Sequence, residues 1–288
     1  MRLFLLTVLT MLSFASNSVL NRAAVGDGAI SAEAFGTIRL WSGAVVLMAL
    51  ALFLGKGQRL RAPGRIPGVF GLLLYIYGFS AAYVALDSGL GALILFGCVQ
   101  ITMFVGSLLA GERPPVQRWV GAALAFGGLI WLLWPGDGPS ASLWHGVVMA
   151  LAGFGWGIYS LAGRRGGHPL ASTAANFVIA APIGMLLGAV VLPGIDHATL
   201  TVSGVVLAVV SGAVTSGLGY ALWYSVLPRL AVSVAAVAQL TVPIIAMLGG
   251  MLFLGEALTP RFVIAATVVL GGVALSLVPL RRPLTRSR

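Results

Sequence analysis

Residues 100–135 read QITMFVGSLLAGERPPVQRWVGAALAFGGLIWLLWP, and residues 244–279 read IIAMLGGMLFLGEALTPRFVIAATVVLGGVALSLVP. The two segments align without a gap at an offset of 144 residues. The matched pairs include Gly106, Gly111, Glu112, Gly127, Gly128 and Pro135 with Gly250, Gly255, Glu256, Gly271, Gly272 and Pro279. Similarity at a fixed offset indicates an internal repeat, so we expect the chain to consist of two similar halves.

The similarity continues toward the start of each half, at an offset of 141 or 142 residues. Its matched pairs are Phe14, Ser18, Arg22, Phe35, Tyr83 and Leu86 with Trp156, Ser160, Arg164, Phe177, Tyr224 and Leu227. The repeat therefore extends over nearly the whole chain. We expect residues 1–137 to form the first half, and residues 138–288 to form the second half together with a short basic tail.

The composition excludes a water-soluble globular protein. The 288 residues are 59% hydrophobic and only 8% charged, whereas about 25% of the residues are charged in a typical soluble domain. The mean hydropathy is +1.03. We therefore expect a protein that lies almost entirely within a membrane.

Apolar runs that are broken by Gly, Pro and charge predict ten membrane spans, since one span needs ~20 mostly apolar residues. The first run is interpreted as a span rather than a cleaved secretory signal, because the second half contains its counterpart. The predicted spans lie near residues 3–24, 32–54, 67–86, 89–110, 116–135, 143–162, 171–192, 202–226, 232–254 and 260–279.

Charged residues alternate between the two sides of the predicted bundle. If the N-terminus is cytoplasmic, nearly all Lys and Arg fall on inner segments, whereas the outer loops contain Asp27, Asp87, Asp137, Asp196 and Glu256. Lys and Arg are enriched in cytoplasmic loops, so we expect a bacterial inner-membrane protein with both termini in the cytoplasm. This distribution explains the net charge of +10 without nucleic-acid binding.

Five spans per half is an odd number, so the second half must enter the bilayer in the opposite orientation to the first. Glu112 is then expected on the inner side and Glu256 on the outer side. Inverted repeats are typical of secondary transporters, in which two similar halves expose one site to each side in turn. We therefore expect an all-α membrane transporter that works by alternating access.

Gly111-Glu112 and Gly255-Glu256 each follow the fourth span of a half, and a Gly-Gly pair lies in each fifth span. In this five-plus-five arrangement the chain resembles the drug/metabolite transporter superfamily of EamA type. Its poorly charged, aromatic-rich centre is most similar to the YddG-type aromatic amino acid exporters. The resemblance implies a ten-helix bundle, efflux of small metabolites, and a central cavity lined by spans one, three, four, six, eight and nine.

Polar and aromatic side chains inside the predicted spans are candidates for lining a substrate path. A polar group at membrane depth is costly and indicates function by default, although hydrogen bonding between helices explains it equally well. Aromatic pairs at i, i+3 or i, i+4 share a helix face and suit either a cavity wall or core packing. The predicted substrate-binding residues are Ser13, Asn17, Phe79, Tyr83, Gln100, Trp156, Tyr159, Tyr220, Tyr224 and Gln239.

Five further residues are predicted to have structural or gating roles. Arg39, about one turn from the middle of span two, either binds a substrate carboxylate or pairs internally or extends outward. The matched Glu112 and Glu256 are expected to cap or orient the helices that follow them. Pro182 and Pro243 lie in mid-span and should kink or loosen their helices.

Other functional classes lack their signatures in this sequence. An enzyme needs a nucleophile, metal ligands or paired carboxylates at membrane depth, but His145, His168 and His197 are scattered over three loops. We therefore predict no catalytic residue, metal or cofactor. A channel requires a ring of charge or a carbonyl filter, and the sequence shows neither. A nucleotide-sugar carrier of the same fold requires Lys or Arg at membrane depth to bind the diphosphate, and such residues are scarce in the predicted spans. A multidrug or amphipathic-cation efflux carrier of the same fold is the main alternative.

The sequence thus predicts an exporter of small metabolites, above all amino acids including aromatic ones. Its expected partners are the small-molecule substrate and the lipid bilayer. No Asp or Glu falls in mid-span, so a buried proton relay is not supported. The exact substrate, the energy coupling and the choice between a monomer and a homodimer are left open.

Overall fold

The computed structural model describes residues 1–57, 60–112, 114–134, 142–163, 168–191, 200–230 and 232–277. These ranges contain helices and no strand, which confirms the predicted all-α membrane fold. The helices are α1 (Arg2–Val25), α2 (Ala32–Phe53), α3 (Arg65–Ala82), α4 (Ser88–Leu109), α5 (Val116–Leu133), α6 (Leu143–Gly163), α7 (Pro169–Val191), α8 (Val202–Arg229), α9 (Val232–Gln239), α10 (Val242–Leu254) and α11 (Pro260–Leu277).

Eight of these helices, α1 to α8, are long and apolar enough to cross a membrane. The shorter α9 and α10 occupy the predicted ninth span, and α11 occupies the tenth. The third span ends at Ala82, four residues before the predicted boundary, because the chain turns at Tyr83.

Local sequence signals set several helix ends. Ser31 caps α2 by accepting a hydrogen bond from the backbone N of Ala34 at 3.1 Å. Gly111 and Gly255 follow the fourth span of each half and have φ values of 80° and 67°, a left-handed conformation that glycine adopts without steric cost. The repeated Gly-Glu dipeptide therefore marks a sharp turn at equivalent places in both halves.

The packing pairs corresponding helices of the two halves. The second spans, α2 and α7, pack against each other, as do the fifth spans, α5 and α11, and the fourth spans, α4 and α10. The third span α3 packs on the sixth span α6, and the equivalent pair, α8 and α1, is also in contact. Most of the contacts between helices in the described ranges therefore join the two halves rather than helices of one half.

Contacts at the helix ends show that the halves are inverted. Gln117 at the start of α5 donates a hydrogen bond to the carbonyl oxygen of Leu275 near the end of α11, at 2.7 Å. Arg261 at the start of α11 donates to the carbonyl oxygen of Trp131 near the end of α5, at 2.9 Å. The two fifth spans therefore run antiparallel, as an inverted repeat requires.

Glycine residues allow two of these helix pairs to approach closely. A Cβ atom on Gly155 of α6 would lie 2.8 Å from the carbonyl oxygen of Gly71 in α3. The helices α5 and α11 cross in the same way at Gly121 and Gly272. Lipid tails are as apolar as leucine, so close packing rather than the hydrophobic effect holds membrane helices together. These crossings therefore join the two halves.

Two spans of the second half depart from a regular α-helix, and a third contains a proline. Pro182 lies inside α7, which is α-helical without interruption from Pro169 to Val191. The ninth span is interrupted between α9 and α10, immediately before Pro243. The eighth span is π-helical over Ser211–Leu218. In the first half Val99 occupies the position that matches Pro243, and α4 is continuous there. The halves therefore share a fold but differ in the regularity of their helices.

Replacing Gly121 by alanine should destabilise the bundle, because the new methyl group would overlap the backbone of Gly272. Overpacking of this kind costs about 1–3 kcal/mol, so we expect the unfolding temperature of the detergent-purified protein to fall. The matched control is Gly127→Ala on the same helix, where the added methyl group would have no described atom within 4 Å apart from the neighbouring residues and backbone of its own helix. The control should be neutral or slightly stabilising, since alanine favours helix. Equal shifts in both variants would contradict a role for the glycine crossing.

Candidate functional site

Aromatic side chains from both halves meet inside the bundle. Tyr75 and Phe79 of α3 come from the first half, and Trp156, Tyr159 and Tyr220 come from the second. The ring centroid of Trp156 lies 4.8 Å from that of Tyr75. The centroids of Tyr159 and Tyr220 each lie 5.2 Å from that of Trp156. These separations are typical of favourable ring contacts, and we refer to the five residues as the aromatic cluster.

The glycine crossing of α3 and α6 assembles this cluster. Tyr75 lies four residues after Gly71, and Trp156 directly follows Gly155. Residues three or four apart share a helix face, so Phe79 extends the surface of α3 beside Tyr75. The close contact that joins the two halves therefore also brings their aromatic faces together.

Arg39 of α2 lies against the aromatic cluster and is fully buried. Its Nε donates a hydrogen bond to Oγ of Ser216 at 3.0 Å, and its Nη2 donates to the hydroxyl of Tyr75 at 2.8 Å. The guanidinium carbon lies 5.1 Å from the ring centroids of both Tyr75 and Phe79, within the range of cation–π interactions. Arg39 therefore does not extend to the surface, and in the described part of the chain no carboxylate forms an ion pair with it.

The π-helical segment of α8 directs three hydroxyl groups toward α1 and α2. Oδ1 of Asn17 accepts hydrogen bonds from Oγ of Ser211 at 2.8 Å and from Oγ1 of Thr215 at 2.5 Å. Ser216 of the same segment accepts the hydrogen bond from Arg39. Short π-helical segments are rare in proteins, and those that are found frequently lie at functional sites. Here the segment links three spans beside the aromatic cluster.

Glu256 joins the two halves at the end of the bundle where α4 begins. Its Oε1 accepts hydrogen bonds from the backbone N and the Oγ of Ser88, at 2.8 and 2.9 Å. Nε of Arg22 lies 4.0 Å from the same oxygen, and Nη1 of Arg22 donates to the carbonyl oxygens of Tyr83 and Val84. Burial raises the pKa of the Glu256 carboxyl above its usual value, and the hydrogen bonds from Ser88 act in the opposite direction.

The partner of Glu256 differs from the one predicted. Glu256 was expected to cap α11, the helix that follows it, but it caps the N-terminus of α4. The inverted packing of the halves places the end of α10 beside the start of α4, which explains the difference. Its repeat counterpart Glu112 is half exposed and lies 3.9 Å from Arg118, near the start of the following helix α5.

Arg65 joins the halves at the opposite end of the bundle. Its Nη1 donates hydrogen bonds to the carbonyl oxygen of Ser172 at 2.7 Å and to Oδ1 of Asn176 at 2.5 Å, both on α7. An open pocket of about 480 Å³ also lies at this end and is lined by residues 60–67. Contacts between the halves therefore lie on both sides of the cluster.

The structure brings most of the predicted aromatic residues together. Phe79, Trp156, Tyr159 and Tyr220 belong to the aromatic cluster, and Tyr224 lies beside Tyr159. The sixth predicted aromatic residue, the fully buried Tyr83, contacts Phe79 with a centroid separation of 4.7 Å. Pairs that share a helix face in the sequence therefore share one site in the fold.

The predicted polar residues are more dispersed. Asn17 lies in the hydrogen-bonded network of the π-helical segment. Ser13 donates to the carbonyl oxygen of Leu9 in its own helix. Gln100 and Gln239 are half-buried in α4 and α9, and among the described residues no hydrogen bond joins either one to the aromatic cluster.

Sequence analysis missed Tyr75 and the hydroxyl groups of the π-helical segment. Tyr75 lies four residues before Phe79, so the helical spacing was a signal for it. Ser211, Thr215 and Ser216 carry no such signal, because serine and threonine are common packing residues between membrane helices.

This architecture defines a multi-pass helical membrane protein, in which two inverted five-helix halves enclose a buried aromatic and polar site. The EamA-like transporter family matches residues 1–134 and 143–278. The chain belongs to the EamA-like transporter family, so it is a membrane transporter. This confirms the resemblance of EamA type, while the similarity to YddG-type exporters stays a prediction.

Two known proteins are similar to the chain over nearly its whole length. A Pseudomonas aeruginosa protein whose name describes it as uncharacterized is 48% identical over 278 residues, which cover 96% of this chain and 95% of that protein. A protein of known crystal structure superposes with a TM-score of 0.65 over 96% of both chains. It is 20% identical to this chain, so the likeness shows the fold alone.

Replacing Glu256 by glutamine should weaken the contact between the halves, because an NH2 group would replace one of the oxygens that face Ser88. Hydrogen bonds to charged groups contribute about 1.5–3 kcal/mol, so we expect a lower unfolding temperature in detergent. Glu112→Gln is the matched control, since its ion pair is exposed and such pairs contribute about 0–1 kcal/mol. An equal decrease in both variants would contradict the role assigned to Glu256.

Proposed function

We propose that this protein exports small metabolites across a bacterial inner membrane, with amino acids, including aromatic ones, as its substrates. The aromatic cluster is the observation that carries this proposal, because both halves build it at their interface. A site between two inverted halves can be exposed to either side when the halves rearrange. Aromatic walls with a few polar groups suit an amphipathic molecule of amino-acid size.

The contacts at the two ends of the bundle support alternating access. We propose that Glu256 with Ser88 forms one gate and that Arg65 with Asn176 forms the other. Each contact rests on a few hydrogen bonds, which contribute about 0.5–3 kcal/mol each and can break and form again during a transport cycle. Opening one gate while the other stays closed would expose the aromatic cluster to one side only.

The interrupted ninth span and the proline within α7 support such a movement. The interruption before Pro243 and the proline within α7, Pro182, are places where a helix can bend without losing many backbone hydrogen bonds. We propose these two prolines as hinges.

The charge distribution supports the proposed orientation. Basic residues at the end of the bundle where α3 begins include Lys56, Arg61, Arg65 and Arg118, whereas the opposite end carries Asp27, Asp87 and Glu256. An excess of Lys and Arg marks the cytoplasmic side. The Arg65 gate would then face the cytoplasm, and the Glu256 gate would face the periplasm.

Counterflow in proteoliposomes tests the proposed function. Liposomes preloaded with unlabelled phenylalanine should accumulate labelled phenylalanine without an ion gradient, above the level in protein-free liposomes. Threonine and a cationic dye are tested in parallel. Exchange of the dye but of no amino acid would overturn the proposed substrate class and favour amphipathic-cation efflux.

Replacing Trp156 by alanine should reduce the affinity for phenylalanine, because the ring contacts in the aromatic cluster are lost. One aromatic contact contributes about 0.5–1.5 kcal/mol, which corresponds to about two- to tenfold in affinity, and the affinity for threonine should change less. The matched control is Trp144→Ala on the same helix, since Trp144 is 70% exposed. Unchanged exchange across a panel of amino acids would remove Trp156 from the substrate site.

A further inference from the structure

Arg39 is a buried positive charge that has only neutral partners. Among the described residues its well-formed hydrogen bonds go to two hydroxyl groups, and the ring faces of Tyr75 and Phe79 and the side chain of Tyr220 lie close to it. Moving an ion from water into a low-dielectric interior is costly unless an opposite charge accompanies it. An intramembrane charge of this kind indicates a functional site.

Two polar groups at this position lack a hydrogen bond of normal geometry. In the described part of the chain, Nη1 of Arg39 and the hydroxyl of Tyr220 are buried and have no partner within normal hydrogen-bond distance and angle. The Tyr220 side chain lies next to the guanidinium group. Buried polar groups are hydrogen-bonded in the great majority of cases, so two adjacent N–H and O–H groups without a well-formed hydrogen bond indicate that an acceptor occupies this position at another stage.

We propose that Arg39 and Tyr220 bind the carboxylate of the transported molecule, and that its apolar or aromatic part packs against the aromatic cluster. A guanidinium group binds a carboxylate through two parallel hydrogen bonds, and the Tyr220 hydroxyl supplies a further donor. Tyr75 and Ser216 hold the guanidinium group in place. This inference rests on the proposed function and narrows the substrate class to monocarboxylates with an apolar or aromatic group, including zwitterionic amino acids.

The same charge opposes the binding of amphipathic cations. The acidic residues in the described ranges lie in loops or near helix ends and not beside Arg39: Asp27, Glu33, Asp87, Glu112 and Glu256. A cation that entered the aromatic cluster would therefore meet a fixed positive charge without a neutralising carboxylate. A carboxylate would instead compensate the charge of Arg39.

A set of phenylalanine analogues tests the inference on the unmodified protein. Binding to the purified full-length protein is measured by titration calorimetry in detergent with L-phenylalanine, L-phenylalaninamide and 3-phenylpropionate. The amide lacks the carboxylate, and 3-phenylpropionate lacks only the ammonium group. We expect both acids to bind at least about tenfold more tightly than the amide, since hydrogen bonds to a charged group are lost. A smaller preference, or no binding of either acid, overturns the inference.

Two variants separate substrate binding from a purely structural role of this site. Arg39→Gln should reduce the preference for the acid over the amide to about twofold or less. Tyr220→Phe removes a hydroxyl group that makes no hydrogen bond of normal geometry in the described structure, so the protein should keep its unfolding temperature but bind phenylalanine about five- to tenfold more weakly. An unchanged affinity for phenylalanine in Tyr220→Phe overturns the role of Tyr220, even if Arg39→Gln does not fold.

The matched control is Arg261→Gln, because Arg261 also donates to a neutral partner and lies over an aromatic ring, 5.7 Å from the centroid of Trp131, but outside the aromatic cluster. Its preference for the acid should equal that of the unmodified protein.

Counterflow distinguishes failure of this inference from failure of the proposed function. Tight binding of acids without exchange would overturn amino acid export alone, whereas exchange with equal binding of acid and amide would overturn the Arg39 site alone.

Discussion

The close approach of α3 to α6 at Gly71 and Gly155 is the contact on which the candidate site depends. In a bilayer the hydrophobic effect does not drive helices together, because lipid tails are as apolar as the helix surfaces. A close backbone contact that glycine permits therefore stabilises the association of the halves. The same contact sets Tyr75 beside Trp156 and thereby forms the aromatic cluster. The helix contact that stabilises the fold therefore also positions the residues of the site.

The charges of Glu256 and Arg39 are accommodated in different ways. Glu256 lies at a helix end, where Ser88 donates hydrogen bonds to its carboxylate and Arg22 lies nearby. Arg39 lies inside the bundle with hydroxyl groups and ring faces around it. The first charge is compensated by the protein itself. The second is compensated only in part, which is why its surroundings are informative about a ligand.

Residues that match between the two halves and residues that differ between them have different roles in this protein. The matched glycines and the paired spans build a symmetrical scaffold from two inverted halves. The departures from symmetry lie at the interface between the halves. Arg39 has Ala181 as its counterpart in the repeat. The π-helical segment Ser211–Leu218 corresponds in the repeat to a regular α-helical stretch of α3. The scaffold supports a rearrangement of the halves, and the asymmetric residues supply the chemistry of the site.

The sequence by itself determined the membrane location, the spans and the repeat, because the length and composition of apolar runs are properties of the linear chain. It also determined the inversion, because each half has five spans and an odd number of spans reverses the orientation of the next half. It also indicated which aromatic residues share a face, since helical spacing is local. Only the tertiary structure decided which faces meet. Glu256 caps α4 rather than the helix that follows it, and Arg39 lies beside Tyr75 and Ser216. These partners come from helices far apart in the chain, and sequence separation carries no information about which of them inverted packing brings together.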